Sequence, residues 1–247
     1  MPDPRTSIIN ERLKGIRRII AVSSGKGGVG KSLIATTLSL ELSREGCKVG
    51  LFDLDFTSPT THLILGANEA QPKEDKGLVP PLVNGLEYMS LVYYTGNHAI
   101  PLRGEDTSNA LIELLCVTRW SKLDHLVIDM PPGIGDAVLD LIRLVKNIEF
   151  LIVTTPSRLA FETVKKLAGL LQDLKVPIIG VVENMKISRE NSIKPQVKEL
   201  KLPYLGEIPF DPKVEEAIGN PEMLQETAIA QQIKKIVTRT LNRKLDT

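Results

Sequence analysis

Short, densely apolar runs recur along the chain near residues 19–23, 48–53, 86–92, 124–129, 148–154 and 176–182. Between them, apolar residues return every three or four positions near 31–45, 106–119, 136–146, 159–173 and 191–201, the spacing of helices with one buried face. Runs such as FLIV at 150–153 and PIIGVV at 177–182 lack the polar alternation of a half-exposed strand. Strands of that kind are covered on both faces, and their alternation with helices makes them parallel. The pattern predicts an α/β fold, a doubly wound and mostly parallel sheet whose ligand lies outside the carboxyl ends of the strands.

Both ends of the chain carry amphipathic stretches. Within 1–18, Ile8, Ile9, Leu13 and Ile16 share one helical stripe, with Arg12, Lys14, Arg17 and Arg18 largely elsewhere. Such a helix either packs beside the first strand or docks on a partner or a membrane surface. From 222 to 247, Ile229, Ile233, Ile236, Val237 and Leu245 share a face, while Lys234, Lys235, Arg239 and Arg243 lie mostly on others. That face has no Trp or Phe, which favours docking on the sheet over stable membrane insertion. Pro72, Pro80, Pro81 and the charged run QPKEDKG mark 66–100 as a surface insertion after the second strand. The whole of 1–247 reads as one domain.

Composition narrows the function classes. A formal charge of +1 gives no global reason to expect nucleic-acid binding. No apolar run approaches the roughly 18 residues of a membrane span, and MPDPRTSIINERLKG has no signal-peptide core, so a cytoplasmic location is expected. The two cysteines, Cys47 and Cys116, stand far apart without a partner at metal-ligand spacing and read as packing residues.

The strongest signal is Ile19 to Ser32, IIAVSSGKGGVGKS, where an apolar run meets a glycine loop that opens into a helical pattern. Gly25-Lys26-Gly27-Gly28-Val29-Gly30-Lys31-Ser32 fits the phosphate-loop pattern G-x-x-x-x-G-K-[ST] in the required strand–helix context. The glycines allow positive φ and bring successive N–H groups close to phosphate oxygens. The helix beginning around Leu33 points its positive end at the same place. Lys31 then carries charge to the β- and γ-phosphates, and the Ser32 hydroxyl ligates Mg²⁺.

Acidic residues close two other strands. Asp53 and Asp55, two apart at a strand's carboxyl end, can point the same way, one toward Mg²⁺-bound water and the other toward the γ-phosphate. The apolar run Leu126-Val127-Ile128 ends in Asp129, the arrangement that holds a Mg²⁺ shell, and Gly133 beyond it offers a backbone N–H to the γ-phosphate. Glu183-Asn184-Met185-Lys186 has no Asp to complete a guanine-reading N-K-x-D motif, whereas Asn184 suits the adenine edge. ATP is expected over GTP.

In order, SSGKGGVGKS, DLDFTSPT, LRGEDT, VIDMPPGIGD, TTPSRLAFETVKK, GVVENM and LGEIPFDP resemble the landmarks of the Mrp branch of the MinD/ParA superfamily of dimeric ATPases. The resemblance implies that Lys26 reaches across an ATP-dependent homodimer to the opposing nucleotide. It implies that Asp55 is the catalytic carboxylate acting on the attacking water, and that Asn184 with Pro209, Phe210, Asp211 and Pro212 flanks adenine. Cluster-carrying relatives place a C-x-x-C pair soon after the ENM motif; here 186–247 contains no cysteine. Thiolates are the ligands that select iron–sulfur clusters, so no cluster of that type is expected. The chain most resembles an archaeal Mrp/MinD-type ATPase that serves nickel insertion into hydrogenase. The expectation is therefore a metallocentre-assembly ATPase with a small nickel- or zinc-binding metallochaperone as partner. Iron–sulfur cluster carriage and MinD/ParA-like positioning are the alternatives.

Overall fold

The computed structural model describes residues 5–67, 70–95, 105–187 and 192–241. Helix α1 (Arg5–Leu13) leads into β1 (Ile16–Ser24), the glycine loop and α2 (Lys31–Arg44). Next come β2 (Val49–Asp53), α3 (Thr61–Leu65), the short strands β3 (Lys73–Glu74), β4 (Leu78–Val79) and β5 (Leu82–Val83), then β6 (Leu86–Ser90) and α4 (Val92–Thr95). The chain continues through α5 (Glu105–Val117), β7 (Leu123–Asp129), α6 (Asp136–Leu144), β8 (Ile148–Thr154), α7 (Arg158–Asp173) and β9 (Ile178–Lys186). It closes with α8 (Lys194–Glu199), β10 (Tyr204–Pro209), α9 (Lys213–Glu216), α10 (Pro221–Gln225), α11 (Ala228–Ile236) and a π-helical turn at Val237–Leu241.

The main sheet runs β10-β9-β8-β1-β7-β2-β6-β5, parallel throughout except for the β5–β6 edge hairpin. Every strand from β9 to β6 has neighbours on both sides, which is why their sequences are so uniformly apolar. The two faces are distinct along β1: Ile19 and Ala21 join the core under α1, α5, α6, α7 and α8, and Ile20 and Val22 join the core under α2, α3, α10 and α11. The glycine loop therefore leaves the middle of the sheet at its carboxyl edge.

Several expected boundaries move. Strand β1 begins at Ile16, not Ile19, because Gly15 ends the helical stretch and Ile16 and Arg18 pair with Leu123 and His125 of β7. Arg18 is admitted to this strand by its ion pair with Glu149 of β8. Strand β6, within the 66–100 stretch, pairs with β2, so the surface excursion ends before it; residues 96–100 lie outside the described ones. Strand β10 was not anticipated, since Pro203, Gly206 and Pro209 hide it, as suits an edge strand. At the C-terminal end, Ile229, Ile233, Ile236 and Val237 are buried against the sheet and α2, each contributing about 1.5–3 kcal/mol by its burial. Arg243 and Leu245 lie outside the described residues. Among the described residues no helix is long and apolar enough to cross a membrane.

Candidate functional site

The loop between β1 and α2 owes its shape to glycine at specific points. Gly28 and Gly30 have φ of +76° and +81°, where other residues are strained. A Cβ on Gly25 would sit 2.2 Å from Thr163 Oγ1, and one on Gly30 would sit 2.3 Å from Asn184 Nδ2. Gly28, by contrast, looks onto open space, and a Cβ on Gly27 would meet only Pro132 at 3.9 Å. Ser24 Oγ braces the loop by donating to the Lys26 carbonyl at 2.9 Å. Gly30 caps α2 without any side-chain hydrogen bond, so the first N–H groups of a 14-residue helix stay open to an anion. Val29 is buried and Lys26 projects into solvent.

Lys31, 6% exposed, joins the acidic strand ends. Its Nζ lies 2.6 Å from Asp129 Oδ1, 3.5 Å from Asp55 Oδ2 and 3.2 Å from Ser32 Oγ. Asp53 stands level with Asp129 across the β2–β7 pair. Two buried carboxylates thus share a single ammonium with Asp53 buried beside them, and burial together with the Asp129 charge pushes the Asp53 carboxyl up to about 7. Burial likewise raises Asp129 against the opposing pull of Lys31. Asp129 Oδ2 is buried with no hydrogen-bond partner. A cluster short of positive charge, with an orphaned carboxylate oxygen beside a serine hydroxyl, fits a Mg²⁺ ion that keeps water and phosphate in its shell.

Asp53 has its oxygens engaged differently from a bare metal ligand: Oδ1 accepts the Asp55 N–H at 3.0 Å, and Oδ2 accepts the Thr61 hydroxyl at 2.6 Å. Gly133, at φ +93°, donates its N–H to the Ser24 carbonyl at 3.0 Å. Beside the loop is a pocket of about 490 Å³ lined by Lys26, Gly28, Lys31, Ser32, Asp55 and Thr57. It adjoins a second pocket of about 220 Å³ with Leu33 and Ile218 common to both, lined further by Asn184, Pro209, Phe210 and Asp211. Phe210 is exposed, so its ring is free to cover a flat ligand. Asp211 is occupied in capping, accepting from the Lys213 and Ala228 N–H groups at 3.1 and 2.9 Å. Asn184 Nδ2 is likewise committed, donating to the Val29 carbonyl at 2.9 Å.

Sequence reasoning missed Thr57 at the pocket wall and Thr61 behind it. The hydroxyl-rich run Thr57-Ser58-Pro59-Thr60-Thr61 after the acidic pair was the available signal.

The ParA family model described as NUBPL iron-transfer P-loop NTPase matches residues 15–243. This chain belongs to that family. Among the relatives of this NUBPL-type NTPase is an iron–sulfur cluster carrier protein of Methanocaldococcus jannaschii, 34% identical, aligned over 95% of this chain and 88% of the relative. Carrier proteins of Rickettsia conorii and Escherichia coli K12 are 35% and 42% identical over 83% and 71% of this chain. The chain spans 65% and 48% of those two relatives' length. An ADP-bound nucleotide-binding protein of Archaeoglobus fulgidus superposes with a TM-score of 0.75 at 29% identity, covering 89% of this chain and 93% of its own. The MinD cell-division ATPase of Pyrococcus furiosus, at 22% identity and a TM-score of 0.69 over 92% of this chain and 99% of its own, shares the fold. These relatives correct one expectation. The curated proteins at 34–42% identity are named for iron–sulfur cluster carriage, which overturns the reading of a nickel-insertion factor with a nickel metallochaperone partner. The landmarks shared along the rest of the chain outweigh the missing C-x-x-C.

Proposed function

We propose that this protein hydrolyses ATP and uses the resulting change of shape to drive iron–sulfur cluster delivery, the cluster being cargo. The observation that carries the chemistry is the placement of Lys31 Nζ 2.6 Å from Asp129 and 3.5 Å from Asp55 beneath the glycine loop. Lys31 is the counterion of Asp129 in this structure. With Mg-ATP bound, Ser32 and the second oxygen of Asp129 would hold the metal and Lys31 would serve the phosphates, an arrangement that keeps the buried charge balanced. Bound Mg²⁺ supplies charge neutralisation on the phosphate oxygens.

The N–H groups of the glycine loop and of α2 grip the phosphates. Asp55 orients the attacking water and takes its proton, and Asp53 fixes Asp55 through the Asp55 N–H. Lys26, in solvent on the rim of the phosphate pocket, is positioned to reach the nucleotide of a second copy, making the phosphates the link in a homodimer. In the smaller pocket Phe210 covers the base and Asn184 Oδ1 accepts from the adenine amino group, since its Nδ2 is taken by Val29. That single acceptor favours adenine over guanine, whose corresponding edge carries a carbonyl.

The iron–sulfur part rests on the names of the relatives. The chain has two cysteines, both half-buried, Cys47 between α2 and β2 and Cys116 on α5, so in this reading the cluster's thiolates lie outside these 247 residues. The test is anaerobic transfer of a [4Fe–4S] cluster from a loaded scaffold protein to an apo acceptor, followed by visible circular dichroism. ATP together with this protein should speed transfer, and ADP or an Asp55→Asn variant should not. A transfer rate indifferent to this protein would overturn the delivery role.

A further inference from the structure

Behind the acidic pair runs a line of buried hydroxyls that nucleotide binding does not call for. Thr61, at the start of α3, donates to Asp53 Oδ2 at 2.6 Å, and its oxygen lies 2.8 Å from the Tyr88 hydroxyl on β6. Ser90, two residues further along β6, accepts the Val92 N–H on its Oγ at 3.3 Å at the start of α4. Asp53, Thr61, Tyr88 and Ser90 are each at most 1% exposed. Asp53 and Ser90 are also level with one another across the β2–β6 pair.

Counting protons fixes the direction of every bond. Each hydroxyl has one hydrogen, and Thr61 spends its own on the carboxylate, so Tyr88 donates to Thr61. Both bonds point toward Asp53, the arrangement in which one strengthens the next. At the far end Asp53 Oδ1 holds the Asp55 N–H, and Asp55 accepts the Ser58 N–H at 3.2 Å. One carboxylate therefore grips both ends of the loop carrying Thr57 and Ser58: the start through Asp55, the end through Thr61.

We propose that Thr61 and Tyr88 are positioning residues for ATP hydrolysis, holding Asp53 so that the Asp55 loop is presented to the phosphate pocket in one conformation. The inference rests on the assignment of Asp55 to hydrolysis. An apolar pair would pack this space as well, so two buried hydroxyls at this point are explained by what they hold. Neither residue touches the nucleotide pocket, and their effect passes through Asp53 to Asp55.

The test compares Thr61→Val, Tyr88→Phe and Thr61→Ser with the natural protein, reading kcat and KM for ATP, the melting temperature, and hydrogen exchange at the Asp55 amide. Thr61→Val and Tyr88→Phe should each lower kcat about tenfold, the equivalent of one weakened hydrogen bond, with KM within about twofold. Both should speed exchange at Asp55, the double variant should be no slower in turnover than the worse single one, and Thr61→Ser should restore the natural values. A role confined to packing predicts a lower melting temperature with kcat and Asp55 exchange unchanged in the folded protein, and that result would overturn the proposal. Should Thr61→Val fail to fold, Tyr88→Phe, which removes one oxygen atom, decides by the same readings. If the natural protein hydrolyses no ATP, the proposed function falls, and Asp55 exchange alone judges the thread.

Discussion

Asn184 Nδ2 donates to the Val29 carbonyl at 2.9 Å, so the residue expected at the base also clamps the phosphate loop. Gly30 makes the clamp possible, since any Cβ there would occupy the place of the amide nitrogen. Asn184→Ala should therefore weaken ATP and ADP binding alike by about tenfold or more, through an unsatisfied Val29 carbonyl as well as a lost base contact. Gly30→Ala should do similar damage, and the double variant should be far less than additive. Calorimetric titration with both nucleotides measures all three; additive losses would separate the loop from the base site.

Lys31 balances the buried carboxylate of Asp129. Lys31→Ala should abolish nucleotide binding and also destabilise the nucleotide-free protein by about 3–5 kcal/mol, the usual consequence of stranding a buried charge. Adding Asp129→Asn should recover much of that stability while leaving binding absent. Urea unfolding of the single and double variants separates the two effects.

Lys26 is in solvent, and its removal should leave the unfolding curve within about 0.5 kcal/mol of the natural one. Mass by light scattering should nevertheless change: ATP with Asp55→Asn should hold a dimer, and the added Lys26→Ala should return it to monomer. A mass indifferent to ATP and to Lys26 would remove the lysine from the interface.

His125, 1% exposed on β7, is held neutral, with burial and then the Arg18 charge bringing its pKa from 6.5 down to about 4. As pH falls through that interval the unfolded chain takes up the proton first, so stability is full above about 6.5 and declines toward 4. The loss should reach about 3 kcal/mol. Asp53, with its carboxyl pushed up to about 7, bends the curve the opposite way, so the informative quantity is the difference between the natural protein and His125→Gln. Urea midpoints at pH 7.5, 6 and 5 should converge for the pair as acid is added.

Much of this was legible in the chain because its signals are local. The glycine loop and the strand endings at Asp53 and Asp129 are contiguous patterns, and uniformly apolar runs identify central strands whatever packs on them. What escaped depends on distance along the chain. Tyr88 and Thr61 meet across 27 positions, and nothing near either residue announces the other. Strand β10 is an edge strand broken by Gly206 between two prolines, and Ile16–Arg18 looked helical because an ion pair with Glu149, far along the sequence, admits Arg18 to a strand. Asn184 was recognisable as a polar residue at a strand end, but its commitment to Val29 is a property of the fold.

Gly133 gives its N–H to Ser24 in this structure, and a third phosphate seeking that amide must take it from a carbonyl on the strand that carries the glycine loop. In the proposed cycle ATP and ADP would then differ by a contest between two acceptors for one hydrogen. The charged phosphate oxygen is the stronger acceptor, and anything that presses on the loop after Asp129 from outside would shift the outcome. A client seated there would set the clock of the cycle without touching the nucleotide.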